Sequence, residues 1–203
     1  MKVQTVSFEQ AGVLTKQFFE SPQWGRFVHE GTKPAYTNKE KQINVEWAKV
    51  NNNKHCAVCL NMNGCCLPID IIENKMKFPF HENCHCYVVP ANNLEITAES
   101  PLSKFEGYVF NPEYFNKGKN ELFSHWGYTV NDSQVLCDEL SEQAENKYRS
   151  IDFQLGKLTE HGQRISIRIT LLRKNTAEVV SFVSGWMLYP DGKIILTTPY
   201  GGR

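Results

Sequence analysis

The sequence predicts an α+β protein in two parts, and three observations carry that expectation. Apolar residues near the N-terminus recur at helical spacing, six of the seven cysteines fall within 31 residues, and the C-terminal quarter switches to strand-like alternation. The expected architecture is a helical, cysteine-stapled module over residues 1–92, followed over residues 101–203 by helices packed on an antiparallel sheet of about four strands. With 203 residues, 41% of them hydrophobic, the chain has enough apolar material for one good-sized core or two small ones.

The first segment, to about Asn53, reads as helical. Phe8, Val13, Leu14, Phe18 and Phe19 recur at roughly helical spacing and Ser21-Pro22 stops them. After a loop carrying Gly31-Thr32-Lys33-Pro34, a short helix over Asn38 to Val50 would turn Ile43, Trp47 and Val50 inward, and Asn51-Asn52-Asn53 ends it. The second segment, Lys54 to Pro90, is rich in Cys, Asn, Pro and Gly and lacks the apolar periodicity of a core, so it needs a staple. Ala91 to Pro101 is polar and loop-like, and Glu99-Ser100-Pro101 marks the expected boundary.

In the third segment helices come first. Asn116 to Trp126 is short; Asp132 to Arg149 is longer, with Asp132 as N-cap and Val135, Leu136, Leu140 and Ala144 on one face. Strands follow. Ile151 to Leu158 and Arg164 to Leu172 flank the His161-Gly162 turn, and Ile165, Ile167, Ile169 and Leu171 alternate with Ser166, Arg168 and Thr170, the signature of one buried face. Val179 to Leu188 and Lys193 to Thr198 flank the turn sequence Tyr189-Pro190-Asp191-Gly192, with Phe182 and Trp186 in the core.

Charge nominates no ligand. Lys plus Arg and Asp plus Glu both total 22, and each sign is shared evenly between the two halves, ten before Ser100 and twelve after it. A tight, sequence-independent nucleic-acid binder is disfavoured, although Arg164, Arg168 and Lys157 are expected on one sheet face as a local phosphate track. No apolar run approaches the roughly 20 residues that span a bilayer, so no membrane partner is expected. The N-terminal residues lack the continuous apolar core of a secretory signal, which predicts a cytoplasmic location.

The cysteines carry the clearest chemistry. Cys56-x-x-Cys59 and, after 24 intervening residues, Cys84-x-Cys86 form two thiolate pairs on short turns, the usual way to assemble a tetrahedral zinc site. His81 stands three residues before Cys84 and can replace one thiolate; His55 and His85 adjoin ligand positions. Three readings compete: a closed, structural zinc shell; disulfides, as in an exported protein; and an iron–sulfur cluster or reactive thiol, with Cys65-Cys66 as the redox-sensitive pair.

The string HCAVCLNMNG and, after a spacer, FPFHENCHCYVVP resembles the C-terminal metal motif of phage Mu F-like minor head proteins: Cys56, Cys59, Asn63-Gly64, His81, Cys84 and Cys86 fall on its pattern, with His85 where arginine is usual. The stretch GYVFNPEYFNKGKNELFSHWGYT resembles the opening of an uncharacterised bacterial and phage domain family, and WMLYPDGKIILTTPY its final hairpin. Such domains are grouped by resemblance with barnase, EndoU, colicin and RelE-like ribonucleases. The combination implies a toxin-like protein encoded by a phage or mobile element, with RNA as substrate and a cognate immunity protein or phage head protein as partner. It also implies a virion-associated or delivered location.

Metal-independent RNA cleavage needs a base, an acid, and cations or hydroxyls for the developing phosphorane charge. The candidates are Lys117 and Lys119, which precede a helix start at Asn120 where backbone N–H groups can join them on a phosphate; Thr198 and Tyr200 after the last strand; and the domain's two histidines, His125 and His161. No Ser-His-Asp order, phosphate loop or paired-carboxylate motif is present. The rival expectation is a non-catalytic, zinc-stabilised phage morphogenesis or accessory factor.

Overall fold

A computed structural model describes residues 24–29, 56–82, 84–91, 93–117 and 120–200. The helices expected over Phe8 to Phe19 and Asn38 to Val50 lie outside these residues, as does Lys119. The first described element is instead a strand, β1 (Trp24–His29), so the N-terminal part is not simply helical. It is followed by α1 (Ala57–Met62), β2 (Cys66–Pro68), α2 (Ile69–Asn74) and β3 (Cys86–Pro90). β1 is central, antiparallel to both β2 and β3, with Gly25 opposite Leu67 on one side and His29 opposite Cys86 on the other.

The second sheet has five strands where about four were expected. β5 (Gln154–Thr159), β6 (Gly162–Leu172), β7 (Val179–Leu188) and β8 (Lys193–Thr198) form the antiparallel meander, and β4 (Thr97–Glu99) adds a parallel strand on β8. The added strand comes from the stretch read as a loop: three residues are too few to show a period, and its partner lies almost a hundred residues downstream. The expected alternation holds on β6, where Ile165, Ile167, Ile169 and Leu171 are buried. Phe182 and Trp186 are buried on β7. At the last turn Asp191 and Gly192 both adopt positive φ, and Tyr189 N–H donates to Lys193 O at 2.8 Å.

Between β4 and β5 the chain forms a π-helical turn (Phe105–Val109), a 3-10 turn (Pro112–Lys117), α3 (Asn120–His125), a 3-10 turn (Val130–Asp132) and α4 (Ser133–Arg149). α4 buries Leu136, Leu140 and Ala144 as its spacing predicts, and Tyr148 with them, but Val135 is 62% exposed. Because Leu136, Cys137 and Leu140 take the inward positions, Val135 is turned about 100° away from Leu136 and onto the rim of a groove. Asp132 is the N-cap residue of α4, yet its carboxylate bonds backward instead, accepting from the N–H of Thr129 at 2.8 Å and pairing with Lys174 at 2.7 Å.

One hydrophobic cluster runs through both sheets, from Trp24, Phe27 and Leu67 through Leu140 and Tyr148 to Ile167 and Trp186. The seam is also polar. Cys65 bridges to Pro190, Asp191 N–H donates to Gly64 O at 2.9 Å, and Arg26 pairs with Asp191 at 3.1 Å. Gly64 is required here: its φ is +80°, and a Cβ on it would stand 2.8 Å from the Pro190 side chain.

Candidate metal centre

The metal candidates converge. Cys56 precedes α1 as its N-cap residue and Cys59 lies in its first turn, a three-residue spacing that puts both sulfurs on one face. The loop before β3 is anchored by Phe78 and Phe80, whose rings pack on Phe27 at 5.6 and 5.5 Å, and it carries His81 to the cluster. Cys84 N–H donates to His81 O at 3.2 Å, closing the turn that delivers Cys84 and Cys86.

Cys59, almost wholly buried, is the hub. Its sulfur lies 3.0 Å from His81 Nε2 and 3.7 Å from the Cys84 sulfur. Two groups of donor atoms, each mutually within 4.8 Å, share it: Cys56, Cys59 and His81 form one, and His29, Cys59 and Cys86 the other. These Cys and His groups are close enough to hold a metal ion. His29 is a donor that sequence reasoning missed. It stands 27 residues before the first cysteine, and only the β1–β3 register, which sets it opposite Cys86, makes it a neighbour. Its backbone N–H donates to Asn63 Oδ1 at 3.0 Å, so the Asn-Gly turn of the motif also fixes the end of β1.

The electrostatics show what the cluster lacks on its own. Burial first, then neighbouring Cys86, Cys84 and Cys56, hold the Cys59 thiol far above its ordinary range. Burial likewise pushes Cys86 up to about 12. Burial also raises Cys84, but hydrogen bonds from the backbone at Cys86 and Phe80 and from the Cys59 and Cys86 side chains outweigh it and lower that thiol. Cys59 and Cys86 therefore keep their protons at neutral pH unless a cation offsets the charge.

The other cysteines play no part in this cluster. Cys65 and Cys66 are buried at the seam, their sulfurs directed to the carbonyls of Asn61 (3.3 Å) and Gly64 (3.5 Å), and burial raises both thiols. Cys137 is buried on α4 and pushed up to about 11. All seven cysteines are free.

The residues singled out for RNA chemistry are distributed. His161 sits at the β5–β6 turn, 76% exposed, beside a cleft of about 130 Å³ shared with Asn61, Asn63 and Tyr189. Thr198 pairs with Gly185, partway along β7, and Tyr200 lies beyond it with its ring 6.3 Å from that of Phe182. Phe182 is opposite Ile169, seven residues along β6 from the turn, or about 23 Å. His161 and Tyr200 are therefore not brought together. His125, exposed at the end of α3, adjoins Trp126, whose ring meets Phe182 at 5.4 Å, so it shares an end of the sheet with Tyr200. Lys117 closes the 3-10 turn before α3. Arg164 and Arg168 are exposed on one face of β6, and Lys157 lies in the irregular stretch of β5 between Leu155, which pairs with Ile165, and Leu158, which pairs with Gln163.

Among the described residues no helix is long and apolar enough to cross a membrane. No curated protein and no solved structure matches the chain. A family model described as a domain of unknown function, DUF6883, matches residues 93–201, which take in α3, α4 and all five strands of the second sheet. Since that match spans more than half of its length, the chain belongs to the DUF6883 family.

Proposed function

We propose that the chain is a toxin-like protein of phage or mobile-element origin, with a structural zinc ion stapling its N-terminal part and a metal-independent endoribonuclease-like C-terminal domain. The observation that carries the reading is the convergence of Cys56, His81, Cys84 and Cys86, together with His29, on the buried sulfur of Cys59. Thiolates with imidazole are a donor set suited to zinc, and protein ligands sufficient to fill a tetrahedral shell make the ion structural and leave catalysis to other residues.

For the RNA half, support comes from the ring contacts linking Trp126, Phe182 and Tyr200, which gather the end of α3 and the end of β8 at one place. In this reading Lys117 and Lys119 bind the phosphate, Thr198 and Tyr200 stabilise the developing charge, and His125 moves the proton. His161, at the other end of β6, takes no part. Incubating zinc-loaded protein with transfer RNA and total RNA tests this: cleavage without added metal is expected. Intact RNA, with any cellular toxicity unchanged by alanine at Lys117, Lys119, Thr198 and Tyr200, overturns it.

One observation favours a second reading, a non-catalytic phage morphogenesis or accessory factor. A groove of about 320 Å³ between α4 and β6 is lined by Leu136, Leu171 and the exposed Val135, Leu172 and Val179. Induced expression in a bacterium separates the two: growth arrest follows from the first, tolerance from the second.

A further inference from the structure

The motif-based reading draws its metal ligands from residues 56–86, but the cluster contains a donor outside that span. His29 is 3% exposed, lies on the central strand of its sheet, and offers a ring nitrogen within 4.8 Å of both the Cys59 and the Cys86 sulfur. Two independent backbone constraints fix it: the pairing of His29 with Cys86 across β1 and β3, and the hydrogen bond from its N–H to Asn63. A ligand held by packed strands is positioned before the ion arrives.

The geometry around Cys59 sorts the remaining donors. In a tetrahedral zinc shell with bonds of about 2.3 Å to sulfur and 2.0–2.1 Å to nitrogen, two sulfurs stand about 3.8 Å apart and a sulfur and a nitrogen about 3.5 Å apart. The Cys59–Cys84 separation of 3.7 Å matches the first value. The Cys59–His81 separation of 3.0 Å is about 0.5 Å shorter than the second, so His81 would have to draw back from Cys59 to share an ion with it. Charge points the same way. Four thiolates around Zn2+ leave two net negative charges in a largely buried site, whereas three thiolates and a neutral imidazole leave one, which costs less to remove from water.

On the reading that this cluster binds zinc, we propose that His29 is the imidazole ligand, completing the shell with Cys59, Cys86 and one further thiolate, while His81 stays outside as a hydrogen-bond donor to the Cys59 sulfur. The ion then clamps β1 as well as α1 and β3. Strand β1 also carries Arg26, the partner of Asp191 in the second sheet, so the staple reaches the seam between the sheets.

Zinc-edge X-ray absorption on the full chain, for wild type, His29→Ala, His29→Cys and His81→Ala, tests the proposal. The expected wild-type shell is three sulfurs at about 2.3 Å and one nitrogen at about 2.0 Å, with the outer-shell scattering of an imidazole ring. That ring signature should disappear in His29→Ala and persist in His81→Ala, and His29→Cys should give four sulfurs, which keeps the test open if the alanine variant does not fold. A four-sulfur wild-type shell, or a ring signature that survives in His29→Ala and is lost in His81→Ala, overturns the proposal while leaving the zinc reading intact. Wild-type protein purified without stoichiometric zinc, and unable to take it up, overturns both.

Discussion

The hydroxyl of Tyr148 donates a hydrogen bond to the backbone carbonyl of Cys66, 82 residues earlier in the chain. The tyrosine is 1% exposed, and its ring meets Trp24 edge-on at 5.1 Å and Phe153 at 5.1 Å. One side chain near the end of α4 thus ties β1 and β2 to α4 and to the segment that leads into β5. Tyr148→Phe keeps the rings and orphans the carbonyl, a loss of about 1–2 kcal/mol. For a chain of this size the expected fall in Tm is about 2–8 °C. Since the cluster is continuous through both sheets, fluorescence and far-ultraviolet dichroism should report one shared unfolding transition in urea, shifted together.

If the Cys/His cluster holds zinc as proposed, removing the metal should loosen the N-terminal sheet. Stripping zinc, verified by elemental analysis, is expected to lower the unfolding midpoint and raise amide exchange in β1 and β3; unchanged melting would sink the structural role. The sign of the pH dependence follows from the thiols. Without an ion, burial holds Cys59 above its ordinary range and Cys86 at about 12, so both are protonated at neutral pH. Zinc uptake should therefore release more than one proton per ion, and affinity should fall as pH falls. Calorimetry in buffers of different ionisation enthalpy measures that release.

Asp132 offers a test of the joint between the 3-10 turn and α4. The Lys174 ammonium at 2.7 Å, and then the N–H of Thr129, hold its carboxyl below the usual value. A carboxylate depressed on folding stabilises the protein above its unfolded pKa, near 3.8, and that contribution is lost as pH falls through the folded value. Asp132→Asn keeps an oxygen that can accept from Thr129 and loses the charge facing the half-exposed Lys174, so it should cost about 0.2–1 kcal/mol at pH 7, the range for a surface ion pair. The gap between variant and wild type should close well below pH 3.8 in urea titrations.

How far the sequence discloses this structure depends on how local each cause is. Strict alternation on β6 and the turn at Asp191-Gly192 are legible because period and φ preference act within a few residues. Within each pair, the cysteine spacing announces the Cys/His cluster for the same reason. β4 and His29 are not legible: a three-residue strand carries no period, and a single histidine becomes a neighbour of Cys86 only through strand register. Val135 fails differently, since helical spacing says which residues share a face but not how wide the buried stripe is.

The β6 edge gives a fourth prediction. β5 pairs with β6 only as far as Ser166, and beyond it a side chain substitutes for a strand. Gln143 Nε2 donates to Thr170 O at 2.7 Å, and Thr170 N–H donates to Gln143 Oε1 at 3.0 Å. Tyr128 continues the cover by donating its hydroxyl to Leu172 O at 2.7 Å. Gln143→Ala should cost about 1 kcal/mol and, by freeing a strand edge beside exposed Leu172 and Val179, promote self-association visible by light scattering.

The two histidines of the second domain separate chemistry from surface. If the domain cleaves RNA at the end of the sheet shared by α3 and β8, a proton-transfer role for His125 predicts that His125→Ala lowers the single-turnover rate by about 10²–10⁴-fold. His161 is about 23 Å along β6 from that end and exposed at a turn, so His161→Ala should leave the rate within about twofold and stability within about 0.5 kcal/mol. The reverse pattern would move the chemistry to the cleft beside Asn61 and Tyr189, at the seam between the sheets. Equal, small effects of both changes on a protein that still cleaves RNA would show that neither histidine carries the proton, and would turn the assignment toward Lys117, Lys119 and Tyr200.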